Sequence, residues 1–283
     1  MTKIGRLNGV IRALEEGRKP TLAFARAERE EAVQFGMSQL DAVLFEMEHT
    51  AYTGVGLRDA LQYLMNRRRM IDSGSLAPNV TPFVRLPANG AEMNQWMAKQ
   101  VLDQGVFGVV WPHIATAEHA RNAVAACRYA RPKDAPIYEP KGARGDGPIN
   151  AARYWGLSVP EYYERADVWP LDPKGEIMVV LMIESVEAME NLEEILKVPG
   201  VGAIMIGEGD LSQQLGYARQ YEHPVVVEAK AKILAAGKAA GVPVAHPHVT
   251  GANVEQVIAE GYSILFTTPS RNYATLEKAK SLM

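Results

Sequence analysis

Eight short runs rich in apolar and β-branched residues recur along the chain, each followed by a longer amphipathic stretch, and the alternation persists almost to the last residue. The runs lie at 21–25, 42–48, 83–86, 107–112, 177–184, 201–207, 242–245 and 263–268. The amphipathic stretches lie at 28–37, 57–71, 91–104, 117–129, 185–196, 225–240, 254–260 and 272–283. Strands alternating with helices predict a parallel sheet covered by helices, and eight such units predict a closed (β/α)8 TIM barrel, one α/β domain over 1–283. The competing solution, a doubly wound open sheet, announces a nucleotide with a glycine-rich turn after its first strand. Here the first strand runs into Ala25-Arg26-Ala27-Glu28, with no glycine, which favours the barrel.

Composition narrows the functional classes. At 283 residues, 47% hydrophobic and 22% charged, the chain can bury a full barrel core, which sets aside disordered and solenoid readings. A net charge of −3 without a cationic block argues against nucleic acid or an anionic membrane as partner. Cys127 is the single cysteine, so neither a disulfide framework nor a cysteine zinc cluster can form within the chain. Charges interrupt every apolar stretch of residues 1–20 and no later run matches the ~18 apolar residues of a membrane span, so a cytoplasmic location is expected.

One connection breaks the rhythm. Residues 131–176, between the fourth and fifth runs, form an expected long rim loop carrying Tyr154, Trp155, Tyr162, Tyr163 and Trp169. Loops of such length serve as lids or contacts. Its aromatics either touch substrate or pack an oversized loop.

Barrel enzymes gather their reactive groups at the C-terminal ends of strands. There the sequence places Glu46-Met47-Glu48-His49, Arg85, Glu184 and Glu208-Gly209-Asp210. Glu184 and Asp210 end successive runs, and two converging carboxylates with open positions suit Mg²⁺ or Mn²⁺; each could instead cap the helix that follows. His49 beside Glu46 and Glu48 can act as a general base oriented by a carboxylate, or be an ordinary loop histidine. Arg85 at a barrel mouth calls for an anion, either an acidic substrate or one of Glu46, Glu48 and Asp103. His113, His246 and His248 are further polar contacts or plain rim residues. Because no lysine ends a strand, a Schiff base is excluded and carbonyl activation falls to a metal.

The ordered set Glu46-Met47-Glu48-His49, Val84-Arg85-Leu86-Pro87, Leu102-Asp103-Gln104-Gly105, Arg144-Gly145, Ile183-Glu184-Ser185 and Ile206-Gly207-Glu208-Gly209-Asp210-Leu211-Ser212 resembles the HpcH/HpaI family of metal-dependent 2-oxo acid aldolases. The likeness runs from about Thr21 to the C-terminus. It implies a divalent ion (Mg²⁺, Mn²⁺ or Co²⁺) on Glu184 and Asp210, and a pyruvate carboxylate received by backbone amides over Gly207, Glu208, Gly209 and Asp210. Arg85 would contact the enolate oxygen, His49 would be the base on the aldol hydroxyl, and the acid on that histidine falls at Asp103. The resemblance also implies a homo-oligomer, a hexamer, with residues 272–283 as an oligomer contact.

Departures from the family pattern bear on the substrate. Met182 stands where glutamine is usual, Glu208-Gly209 where a proline-alanine pair is usual, and Glu46 where aspartate is usual; the first-strand tryptophan is replaced within Leu22-Ala23-Phe24. The expected activity is carbon–carbon cleavage or formation of a 4-hydroxy-2-oxo acid from a 2-oxo acid and an aldehyde. Two alternatives stand beside it: a metal-enolate enzyme with another outcome (decarboxylation, citramalyl-type ester cleavage, addition to a larger electrophile), and a barrel that binds a ligand without catalysis.

Overall fold

The computed structural model describes residues 4–87, 90–267 and 274–283. Among them are nine strands, all parallel: β1 (Thr21–Ala25), β2 (Ala42–Glu46), β3 (Thr81–Arg85), β4 (Gly108–Trp111), β5 (Val168–Trp169), β6 (Ile177–Ile183), β7 (Ala203–Ile206), β8 (Val244–His246) and β9 (Ile264–Thr267). Pairing runs from β1 through β4, passes directly from β4 to β6, continues to β9 and returns to β1, where Leu22 stands opposite Phe266. Eight strands therefore close the ring, and two-residue β5 is an appendage on the start of β6. The expected TIM barrel is the observed fold.

Period-two alternation sorts the strand side chains into two cores. Leu22, Leu44, Phe83, Val110, Val180, Met182, Met205 and Phe266 fill the barrel, while Val43, Phe45, Val84, Val109 and Val179 face the helices. Continuing the inner rows by one step gives Glu46 after Leu44, Arg85 after Phe83 and Glu184 after Met182. The same periodicity that packs the barrel thus delivers these charged groups to its mouth.

The opposite end is plugged by a helix that no periodic signal in the sequence indicated, Gly9–Glu15. Its two turns are too short to display a hydrophobic stripe, yet Asn8 caps it by accepting the N–H groups of Val10 and Ile11. Val10 and Ile11 join the inner core, each contributing roughly 1.5–3 kcal/mol by burial. Buried Glu176 anchors the plug by accepting from the Leu7 and Asn8 N–H groups at 3.0 and 2.8 Å.

Some helices divide where a side chain intercepts the backbone. The stretch expected at 57–71 is Gly54–Leu64 and Arg67–Ser73, because Asn66 accepts the Arg69 N–H and starts a new helix. The long connection 131–176 contains helices Ile149–Trp155 and Val159–Tyr163 as well as β5. Trp155 stacks on Phe107 with centroids 4.3 Å apart and donates its Nε1–H to Gly105 O at 2.8 Å; Tyr162 is fully buried. Its buried aromatics pack the outer core beside the N-terminal end of β4, far from the barrel mouth, so packing is their role. The terminal helix, Ala274–Ser281, lies against Val254–Glu260, with Lys278 Nζ 2.7 Å from Glu255. Residues 272–273, where the sequence places its start, and residue 268 at the end of the last expected strand lie outside the described residues.

Candidate active site

At the C-terminal mouth of the barrel lies a cavity of about 770 Å³, lined by Arg85, Glu46, His49, Met182, Glu184, the turn 207–210 and His248, among others. Strand register sets the first pair: Glu46 stands opposite Arg85 across β2 and β3. Arg85 Nε donates to Glu46 Oε2 at 2.7 Å, and its Nη2 donates to the same oxygen. On the other edge Nη1 approaches Glu48 Oε2 to 2.9 Å without the alignment of a hydrogen bond. Burial raises the Glu48 carboxyl, against the pull of Arg85. A guanidinium has five N–H donors, so held in this fork Arg85 keeps donors for a substrate oxygen.

Glu184 follows β6 and is 2% exposed, yet has no lysine or arginine partner among the described residues. Its Oε1 accepts the backbone N–H of His113 at 2.5 Å, a geometry that depends on the left-handed φ of 52° at His113. Burial pushes its carboxyl up to about 7; the His113 contacts oppose the rise, and the charges of Glu48 and Asp210 add to it. The alternative role of helix cap belongs to Ser185, whose Oγ accepts the Ala188 N–H at 2.9 Å. Gly207 is required opposite: a Cβ there would stand 2.1 Å from Glu184 Oε2. Asp210 sits in the first turn of helix Glu208–Gln214, whose N-cap, Gly207, offers no capping side chain.

A buried carboxylate with no lysine or arginine partner among the described residues, lining an open cavity with a second carboxylate, fits a divalent cation with oxygen ligands. Among the described residues no cluster of three metal-ligating side chains occurs, so such an ion would draw its remaining ligands from water and substrate.

His49 lies on the loop after β2, exposed, with its N–H on Glu46 Oε1 at 3.1 Å and its Nε2 3.6 Å from Glu48 Oε2. Within one chain its carboxylate neighbour is therefore Glu48. Asp103, the acid expected there, closes the helix Gln95–Gln104 at the other end of the barrel. It accepts from Arg144 Nη2 at 2.8 Å, and the buried Arg144 also donates to the Tyr162 hydroxyl and stacks on Tyr129. Helices run against the strand direction, so a residue just before β4 cannot meet one just after β2 in the same chain.

Two further residues enter the site that spacing alone left open. His113 stands between carboxylates, Nε2 3.6 Å from Glu48 and Nδ1 3.7 Å from Glu184. The Glu208 side chain is held by Lys230 Nζ (2.9 Å) and His248 Nδ1 (2.6 Å), and these contacts overcome burial to hold its carboxyl at about 2. The charge that departs from the family pattern is thus neutralised locally. Cys127 is buried, its thiol pushed up to about 12 by desolvation, and takes no part.

Comparison with known proteins agrees with this architecture. The profile of the HpcH/HpaI aldolase/citrate lyase family matches residues 22–267. The 2-keto-3-deoxy-L-rhamnonate aldolase of Klebsiella pneumoniae is 34% identical over 209 residues, covering 72% of this chain and 66% of that protein. The 4-hydroxy-2-oxo-heptane-1,7-dioate aldolase of Shigella sonnei is 36% identical over 152 residues, covering 52% of each. The matched chain thus spans between half and two thirds of these curated relatives. The crystal structure of a family protein from Burkholderia cenocepacia J2315 superposes with a TM-score of 0.75 over 97% of this chain and 98% of that one, at 24% identity, sharing the barrel. With the family profile extending from β1 to β9 and the charged strand ends in their expected places, the chain belongs to the HpcH/HpaI aldolase/citrate lyase family.

Proposed function

We propose that the protein is a divalent-metal-dependent aldolase that cleaves or forms a 4-hydroxy-2-oxo acid through a pyruvate enolate. The observation that carries this reading is Glu184, buried, paired with no lysine or arginine among the described residues, and lining one cavity with Asp210 and Arg85. Bound by Glu184 and Asp210, Mg²⁺, Mn²⁺ or Co²⁺ would supply Lewis acidity toward the 2-oxo oxygen.

The chain's own groups account for the rest. The backbone N–H groups of Glu208, Gly209 and Asp210, in the first turn of their helix, receive the substrate carboxylate; that of Gly207 is already held by Ile183 O at 3.0 Å. Arg85, fixed by Glu46 and Glu48, donates to the 2-oxo oxygen, where negative charge grows as the bond between C3 and C4 breaks. His49, beside Glu48, takes the proton of the C4 hydroxyl; the O–H electron pair forms the aldehyde carbonyl, and the C3–C4 pair becomes the enolate. Protonation at C3 gives pyruvate. We place the enzyme in a homo-oligomer, hexameric as the resemblance implies, which sedimentation velocity tests. No described helix is long and apolar enough to cross a membrane, and the proposal includes a cytoplasmic location.

Met182 and the large cavity favour a second reading in which the same enolate meets a larger electrophile. Proton exchange at the pyruvate methyl group in D₂O, followed by NMR with Mn²⁺ or Mg²⁺ against EDTA, tests both. Metal-dependent exchange is expected; its absence in folded, metal-loaded protein overturns the pyruvate enolate.

A further inference from the structure

Glu208 carries one of the N–H groups assigned to the substrate carboxylate, and its own side chain is a buried carboxylate on the wall of the same cavity, 3% exposed. An anion so placed repels a second anion, and burial weakens the screening that water and salt would otherwise provide. Hydrogen bonds alone do not remove that repulsion. His248 Nδ1 meets Glu208 Oε2 at 2.6 Å and His246 Nε2 lies 3.8 Å from Oε1, but a neutral imidazole satisfies an oxygen without cancelling its charge.

Lys230 does cancel it. Its Nζ donates to Glu208 Oε1 at 2.9 Å, and its side chain is only 13% exposed. The lysine belongs to the helix Pro224–Ala240, in which Val226 and Ile233, four residues before it and three after, are buried, so it stands on the face turned to the barrel. Glu208 lines the cavity and Lys230 does not, which means that the ammonium acts through the carboxylate and not on a ligand.

A buried ion pair contributes little net stability compared with an apolar pair of similar size. Fold stability therefore gives little reason for this pair, whereas an anionic substrate beside Glu208 gives a direct one.

We propose that Lys230 is a positioning residue that sets the charge of the cavity wall: by neutralising Glu208 it lets the wall accept the carboxylate of a 2-oxo acid, while Asp210 keeps its own charge for the cation. This inference rests on the 2-oxo acid reading of the site.

The two ligands should respond with opposite sign. Lys230→Met uncovers the Glu208 charge, which repels the anion and attracts the cation. Pyruvate affinity, measured by calorimetry on Mn²⁺-saturated protein, should fall by roughly 10- to 100-fold, the scale for unit charges several ångströms apart within a protein. Mn²⁺ affinity, measured without pyruvate by electron paramagnetic resonance of the free ion, should hold or rise. Glu208→Gln should do the reverse, binding pyruvate more tightly and Mn²⁺ more weakly. Lys230→Arg should resemble the wild type, and Glu208→Gln/Lys230→Met, neutral again, should return both affinities close to it.

A lysine that only holds the fold gives another pattern, both affinities falling together in Lys230→Met. That result, or an unchanged pyruvate affinity in the folded variant, overturns the proposal. Should Lys230→Met fail to fold, the step from Glu208→Gln to the double variant removes the same charge, and equal pyruvate affinities across that step overturn it as well. Failure of pyruvate to bind the folded, Mn²⁺-loaded wild type would instead overturn the 2-oxo acid reading itself, and the role of Lys230 with it.

Discussion

Arg85 and Glu46 face each other in register across β3 and β2, with Arg85 Nε 2.7 Å from Glu46 Oε2. The pair is half-buried, and the second carboxylate, Glu48, holds the other edge of the guanidinium at 2.9 Å. A planar cation clamped from two sides has one orientation, and that orientation aims it at the cavity.

A lysine in its place keeps the charge and loses the fork. Arg85→Lys should lower kcat by roughly 100- to 1,000-fold, the usual cost of one transition-state donor, with a melting temperature close to the wild type. Steady-state kinetics beside thermal unfolding check this; a variant that loses stability in step with turnover would show the arginine to be structural.

Glu184→Gln and Asp210→Asn should each weaken Mn²⁺ binding by more than about 100-fold, since loss of mere outer contacts already costs that much. Gly207→Ala should act in the same direction without touching a ligand, because its Cβ must displace Glu184 Oε2 from 2.1 Å. Titration followed by electron paramagnetic resonance of free Mn²⁺ measures all three. Full metal affinity in Glu184→Gln would refute the ligand assignment.

His49→Ala should abolish aldol cleavage while pyruvate methyl exchange persists, because the proposed proton transfer is from the C4 hydroxyl and not from the methyl group. Loss of both activities in a folded variant would assign His49 to the enolisation step as well.

His246 shapes stability on the acid side. Buried against Tyr262, with Glu208, Lys230 and His248 around it, it has its pKa lowered by desolvation from 6.5 to about 4. A histidine whose folded pKa lies below its unfolded value binds protons preferentially in the unfolded chain, so its stability contribution is complete above pH 6.5 and is lost as the pH falls toward 4. The loss amounts to roughly 3 kcal/mol. Denaturant unfolding of the wild type and His246→Gln between pH 4 and 7.5 should show a shallower acid decline in the variant; parallel curves would place the protonation elsewhere.

Periodicity determined much of this protein on its own. Eight β-rich runs alternating with amphipathic helices specify a barrel, and because side chains alternate across a strand, the residues one step beyond Leu44, Phe83 and Met182 must point into its mouth. Glu46, Arg85 and Glu184 were legible for that reason. The plug helix Gly9–Glu15 was hidden because two turns carry too little periodicity.

Contacts between distant segments were decided only by tertiary structure. Asp103 meets Arg144 because a helix returns antiparallel to its strand, and the Trp155 segment packs against Phe107 where a loop of its length suggested a rim. Glu208 finds Lys230 and His248, 22 and 40 residues away, through the closure of the barrel. Local pattern dictates which face a side chain takes; which partner waits on that face depends on how the ring closes, and no local pattern encodes it.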